Sequence, residues 1–322
     1  MRALAVLALL PLAVGVGQAQ PLPAKQITIV VPFAAGGPSD AMARLIAQGM
    51  GEKLGTRVIV ENMPGAGGTT GSARVSRAEA DGATLLFGNI GTHAANVGLY
   101  RKLPYDPQGD FEPVALVASV PFVVATRTAL PVSDFAGFRA LATAKPGTLT
   151  YGSAGTGSAS HLACLLLDAA LAAKAQHVPY RGVAPAMNDL VAGQIDFMCD
   201  QTVTMIPQIK GGSVKPLAVL SRTRVAQVPE LPTAMESGLA GVEIEAWNAL
   251  FAPKGTPRAV IDQLFALVYD ALQSPAVRAR FADLGAVIPA KETAAPDALR
   301  AHVAAETVKW VKVLRDAGVS AD

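Results

Sequence analysis

Three short loops hold the residues best suited to grip a small molecule, and each follows a stretch that reads as a β-strand. The first is Phe33-Ala34-Ala35-Gly36-Gly37-Pro38-Ser39-Asp40. Its glycines let the backbone approach a ligand, and Pro38 suits the first turn of a following helix. That turn leaves several N–H groups unpaired and carries partial positive charge, which makes it a carboxylate site. Ser39 adds a hydroxyl donor; the structural alternative is Ser39 or Asp40 simply capping the helix. The second loop, Gly152-Ser153-Ala154-Gly155-Thr156-Gly157-Ser158-Ala159-Ser160, repeats this physics ahead of an apolar helix. The third, Gly88-Asn89-Ile90-Gly91-Thr92-His93, supplies orientable hydrogen bonds from Asn89 and Thr92. Asp200 and Gln201 end a further strand facing the same crevice. An aspartate beside a bound carboxylate would repel it, so Asp200 accepts from a ligand ammonium or hydroxyl, or fixes a loop.

Catalytic motifs do not emerge. Gly65-Ala66-Gly67 has Thr70 where a third dinucleotide-binding glycine should fall, and no GxxxxGK[ST] occurs. Ser158 lies in an incomplete GxSxG context, so a nucleophile elbow is not formed and a hydrolase is the weaker alternative. Pro64 to Gly68 is a fourth glycine-rich turn, read as scaffold, and His161 as packing. His93, His161, His177 and His302 are scattered and no CxxC is present, which argues against a metal site; no cofactor is expected. Cys164 and Cys199 are the only cysteines and are expected as buried thiols, although an oxidising compartment would permit a disulfide.

The elements that must position these loops alternate between strand and helix, the pattern of an α/β fold. Strands are expected at 26–33, 58–61 and 83–88, with a helix over 41–54 stopped by Gly55. A long apolar strand spans 114–126; strands at 149–153, 177–180, 195–200 and 216–221 follow, separated by helices starting near Ser158, Pro185 and Val203. A second extended stretch covers 242–253, and helices at 258–273, 276–284 and 295–317 finish the chain, Trp310 facing inward. Two long extended segments around a middle αβ unit describe a chain that leaves one lobe and returns, a natural hinge. The expected division is a first lobe from 20–125 and 241–322 and a second lobe from 126–240.

Composition agrees with a folded, two-lobed chain. Hydrophobic residues make up 51% and charged residues only 16%, enough apolar surface for large cores. Lys plus Arg total 27 against 25 Asp plus Glu, so no basic face for nucleic acid is implied. Any anion must therefore be held by local dipoles. Met1-Arg2, the apolar run Ala3 to Val16 and Gly17-Gln18-Ala19 have the layout of a secretory signal over residues 1–19. Export to the periplasm follows as the expectation.

Ordered segments along the chain also match a known pattern. They include Ile27-Thr28-Ile29-Val30-Val31-Pro32-Phe33 with Gly36 to Asp40, Glu61-Asn62-Met63-Pro64-Gly65-Ala66-Gly67-Gly68, and Leu103-Pro104-Tyr105-Asp106-Pro107. Tyr151-Gly152-Ser153, Gly157-Ser158 with His161-Leu162, His177 to Gly182, Leu231-Pro232-Thr233 and Leu250-Phe251-Ala252-Pro253 continue it. From Lys25 onward the chain resembles the tripartite tricarboxylate transporter receptor family, the Bordetella uptake proteins. The resemblance implies a type II periplasmic-binding-protein fold, two α/β lobes joined by crossover strands, with ligand captured in the cleft between them. It implies a non-enzymatic, monomeric receptor that delivers a small carboxylate to membrane permease subunits; a sensor that reports to a signalling receptor is the alternative. Mapped onto this chain, the ligand-binding residues are Phe33, Gly37, Ser39, Asp40, Gly91, Thr92, Ser153, Ala154, Gly155, Thr156, Ser158 and Asp200. Gln201 departs from the asparagine common after that aspartate, and Cys164 and Cys199 also stand where other residues are usual.

Overall fold

The computed structural model describes residues 26–316; the expected signal segment lies outside them. In chain order the strands are β1 (Ile27–Val31), β2 (Val58–Asn62), β3 (Thr84–Asn89), β4 (Phe111–Thr126), β5 (Thr150–Ser153), β6 (Gln176–Pro179), β7 (Phe197–Gln201), β8 (Lys215–Val219) and β9 (Glu245–Pro253). The helices between them are α1 (Pro38–Leu54), α2 (Thr69–Val75), α3 (Asn96–Leu99), α4 (Phe135–Ala144), α5 (Ala159–Leu171), α6 (Val183–Val191) and α7 (Thr202–Lys210). Helices α8 (Arg258–Leu272), α9 (Pro275–Asp283), α10 (Lys291–Ala294) and α11 (Pro296–Asp316) end the chain.

Strand β4 organises the molecule. Its 16 residues, nearly all buried, reach roughly 50 Å at a strand's rise. Through residues 111–121 it pairs antiparallel with β9, completing a sheet ordered β2-β1-β3-β9-β4. Through residues 122–126 it pairs with β7 on one side and β8 on the other, opening a second sheet that continues to β5 and β6. Each sheet has a parallel core, β1 with β2 and β3 in the first lobe and β5 with β6 and β7 in the second. Parallel strands need crossovers, and helices supply them on both faces. Register shifts between Pro113 and Ala115 and between Leu116 and Ala118 bend β4 on its way across. This is the two-lobed α/β arrangement expected from the alternation of strands and helices.

Local chemistry explains the element ends. Gly55 closes α1 in the left-handed conformation, φ 63°, as its place after Leu54 predicts. The Asp134 carboxylate accepts the Gly137 N–H at 2.8 Å and so caps α4. That helix is absent from the sequence-based expectations, whereas α2 and α3 are the helices expected after the second and third strands. After β9 the chain covers the first lobe: α8 packs on α1 and β4, and α11 on α3 and β4. Trp310 is buried on the inner side of α11, and its indole N–H shares the Glu306 carboxylate with that of Trp247, at 3.1 and 3.3 Å.

Candidate functional site

The C-terminal ends of β1, β3, β5 and β7 point toward one place, and the helices after β1, β5, β6 and β7 begin there. They enclose a cavity with about 320 Å³ of empty space lined by Phe33, Gly37, Pro38, Ser39, Asp40, Asn89, Ala154, Ser158, Ala159, Ser160, Val183, Asp200 and Gln201. No Lys, Arg or His is among the lining residues. What is there instead is the start of four helices: α1 at Pro38, α5 at its cap Ser158, α6 at Val183 and α7 at its cap Gln201. Each N-terminus contributes about half a positive charge.

The lobes are closed on one another around this cavity. The Ala34 N–H donates to the Arg181 carbonyl at 3.2 Å, and the Tyr100 hydroxyl donates to the Thr156 carbonyl at 2.9 Å. Glycines permit the approach. A Cβ on Gly67, where φ is +60°, would stand 1.8 Å from the Thr156 oxygen. One on Gly91 would stand 2.5 Å from the Gly157 oxygen. The turn from Pro64 to Gly68, which sequence marks only as scaffold, is thus part of the contact between lobes. Its pairing with Thr156 is a long-range fact with no local signature.

Each loop is held in shape from within. In the first, Asp40 accepts from the Gly36 N–H and Arg44 Nε, both at 3.0 Å, and from Asn62 Nδ2 at 2.9 Å. Burial pushes the Asp40 carboxyl up, but the Arg44, Gly36 and Asn62 hydrogen bonds outweigh it and hold the group below its ordinary value. Gly37, at the N-cap of α1, offers no side chain to cap the helix. In the second loop the Ala154 N–H donates to Ser160 Oγ at 3.0 Å, the Gly155 N–H to Ser153 Oγ at 3.1 Å, and the Gly157 N–H to His161 Nδ1 at 3.2 Å. Ser158 caps α5 by accepting the His161 N–H at 3.3 Å. In the third loop Asn89 Oδ1 accepts the N–H groups of Gly91 and Thr92, at 2.9 and 3.3 Å.

Of the sequence-derived candidates, Phe33, Gly37, Ser39, Asp40, Ala154, Ser158 and Asp200 line the cavity. Gly91, Thr92, Ser153, Gly155 and Thr156 are not in the lining and shape the turns behind it. Val183 was not a candidate; the Gly182-Val183 step after β6 starts a helix in the same way as Gly37-Pro38 and was the available signal. Gln201 is oriented by Asn248 on β9, whose Nδ2 donates to Gln201 Oε1 at 3.1 Å.

Asp200 is only 1% exposed. Thr204 donates to its Oδ2, while Oδ1 has no hydrogen-bond partner among the described residues. Burial pushes its carboxyl up to about 7, against the Thr204 and Gln201 hydrogen bonds that favour the ionised form. Behind the second loop, His177 Nε2 lies 2.6 Å from Ser153 Oγ and its ring 4.3 Å from that of His161. Burial lowers both imidazoles, His161 to about 3 and His177 to about 4, with the neighbouring His177 adding to the effect on His161. This cluster is outside the cavity lining. Cys164 and Cys199 are free and buried. No group of three His, Cys, Asp or Glu among the described residues could hold a metal ion, and no described helix is long and apolar enough to cross a membrane.

A larger groove with about 1290 Å³ of empty space, open to solvent, runs beside the crossing of β4 and β9, past Arg224, Glu245 and Arg278. Its arginines already have partners, Glu236 at 2.9 Å for Arg224 and Gln273 at 2.9 Å for Arg278. It lacks the converging helix ends.

Residues 42–318 match the family model described as the tripartite tricarboxylate transporter family receptor. The chain belongs to that receptor family. Among solved structures, the periplasmic binding protein BugD is 40% identical with a TM-score of 0.89, over 92% of this chain and 99% of that one. MatC from Rhodopseudomonas palustris, solved with bound malate, is 43% identical with a TM-score of 0.88, over 91% and 99%. A second R. palustris protein, solved with adipate, is 34% identical with a TM-score of 0.88, over 93% and 100%. The family and these neighbours are solute-binding receptors, and a two-lobed receptor fold is what the strand order describes.

Proposed function

We propose that this receptor captures a small carboxylate in the closed cavity between its lobes and presents it, unaltered, to the permease subunits of a tripartite tricarboxylate transporter. One observation carries the reading: four helix N-termini meet at a buried cavity that has no cationic side chain. Such a site favours an anion through fixed dipoles and N–H groups, without the cost of desolvating a lysine or arginine. Ligands of the matched proteins, malate and adipate, are of this class. A few charge-assisted hydrogen bonds at about 1.5–3 kcal/mol each suffice for micromolar binding near −8 kcal/mol.

The donors assigned to this role are the first-turn N–H groups of α1 and α5 and the side chains of Ser39, Asn89, Ser160 and Gln201. The two expected lobes act as the moving bodies, with the first boundary at Pro121 rather than residue 125 because Phe122–Thr126 pair with β7 and β8, and they hinge where β4 and the segment before β9 cross. The protein works as a monomer in the periplasm, exported on residues 1–19. A hydrolytic role is disfavoured because Ser153 and His177 do not face the cavity. Titration calorimetry with malate, succinate, adipate, citrate and aspartate tests the reading. Binding of at least one acid, recovered unchanged afterwards, is expected. No heat and no thermal stabilisation with any carboxylate would overturn it.

A further inference from the structure

We infer that the preferred ligand is a carboxylate that also carries a hydrogen-bond-donating substituent, a hydroxyl or an ammonium, and that Asp200 Oδ1 is the acceptor that selects it. The inference rests on the proposed carboxylate site and names its substrate class. Asp200 ends β7 and lines the cavity, 1% exposed, with Oδ2 occupied by Thr204 and Oδ1 without a partner among the described residues. A buried carboxylate oxygen left unmatched is costly, and the cost is removed when the guest brings a donor to it. Serine hydroxyls of the lining can accept weakly, but its other carboxylate and amide oxygens are engaged. Asn248 holds the Gln201 carbonyl oxygen, Asn89 Oδ1 faces its own turn, and Asp40 is turned to Arg44, Asn62 and Gly36.

A plain dicarboxylate would bring charge toward Asp200 and offer no donor to its unpartnered oxygen. The helix ends attract the anion, and Asp200 distinguishes among anions. Specificity of this kind is strong because a site built to accept a donor penalises the analogue that lacks it.

The test compares acids that differ by a single substituent, titrated into the intact mature protein. The pairs are malate against succinate and citrate against tricarballylate, with aspartate as the ammonium arm. We expect the substituted acid to bind tighter than its plain analogue by about tenfold or more, the factor a charge-assisted hydrogen bond supplies. Aspartate tighter than malate assigns the donor as ammonium, and the reverse order assigns it as hydroxyl. In Asp200→Ala the preference should collapse to within about twofold, and Asp200→Asn, which keeps an acceptor oxygen, should retain part of it. Equal affinity within each pair in the unmodified protein would overturn the inference while leaving the carboxylate site standing. Preference that survives in Asp200→Ala, with the ligand-free melting transition intact, would also overturn it. Failure of every acid to bind would remove the carboxylate site itself, and this inference with it.

Discussion

Replacing Gly67 with alanine should separate closure from folding. At φ +60° an L-residue pays roughly 1–2 kcal/mol, a penalty present whether the lobes are open or closed. The new methyl would also stand 1.8 Å from the Thr156 carbonyl oxygen, more than an ångström inside any contact a real Cβ makes. That oxygen belongs to the other lobe and is already held by Tyr100 at 2.9 Å. Where the two turns part the clash vanishes, so the steric cost, unlike the backbone penalty, acts on the closed form alone. If closure is opposed by about 2–3 kcal/mol, apparent affinity falls roughly 30- to 150-fold, since each 1.4 kcal/mol is tenfold. The ligand-free melting temperature should fall by only about 2–4 °C from the backbone penalty. Calorimetry with the tightest acid found for the unmodified protein measures the first quantity and scanning calorimetry the second. Small-angle scattering should show contraction on ligand addition in the parent and a reduced change in Gly67→Ala. Unaltered affinity, with contraction as in the parent, would refute the argument that this turn sets lobe closure.

Other outcomes follow from side chains already described. Asp40→Ala removes the acceptor shared by Gly36, Arg44 and Asn62, and should cost about 1–3 kcal/mol in urea unfolding; no loss would mean that the loop holds its shape without it. Burial keeps His93 at about 3, as it keeps His161 at about 3 and His177 at about 4, below the usual 6.5. The unfolded chain therefore binds more protons at these three sites, and stability present above pH 6.5 should be lost as pH falls toward 4. Asp200, raised to about 7, and Asp168, also raised by burial, work in the opposite direction as pH falls below 7, against four imidazoles lowered by burial once His302 is included. A flat urea midpoint from pH 7 to 4.5 would contradict that balance. Cys164 and Cys199 are free and buried, so a thiol reagent should find about none in the native protein and two after unfolding; none after unfolding would mean that they are bridged.

Strand and helix alternation was readable where apolar runs end in glycine-rich turns. Ile27–Val31 followed by Gly36-Gly37-Pro38 declares both a buried parallel strand and the uncapped start of α1. The continuous apolar stretch of β4 announced a crossover strand, although its hydrophobicity could not say that it belongs to two sheets. Helix α4 was missed although its apolar residues are as periodic as those of α1, because it is only ten residues long and its Asp134 cap draws meaning from the Gly137 N–H that it accepts. The amides of Ala154, Gly155 and Gly157 illustrate the larger limit. Composition marks them as free donors, yet Ser160, Ser153 and His161 bind them within the turn. Which polar atoms stay unpaired, Asp200 Oδ1 above all, is decided by neighbours distant in sequence.

A crystal structure of the mature protein with its tightest-binding acid tests the central claim most directly. The acid's carboxylate should sit between the first turns of α1 and α5, beside Ser39 and Ser160, with no cationic side chain in contact. A carboxylate found instead in the hinge groove against Arg224 and Arg278, with the interlobe cavity free of ligand, would contradict the account.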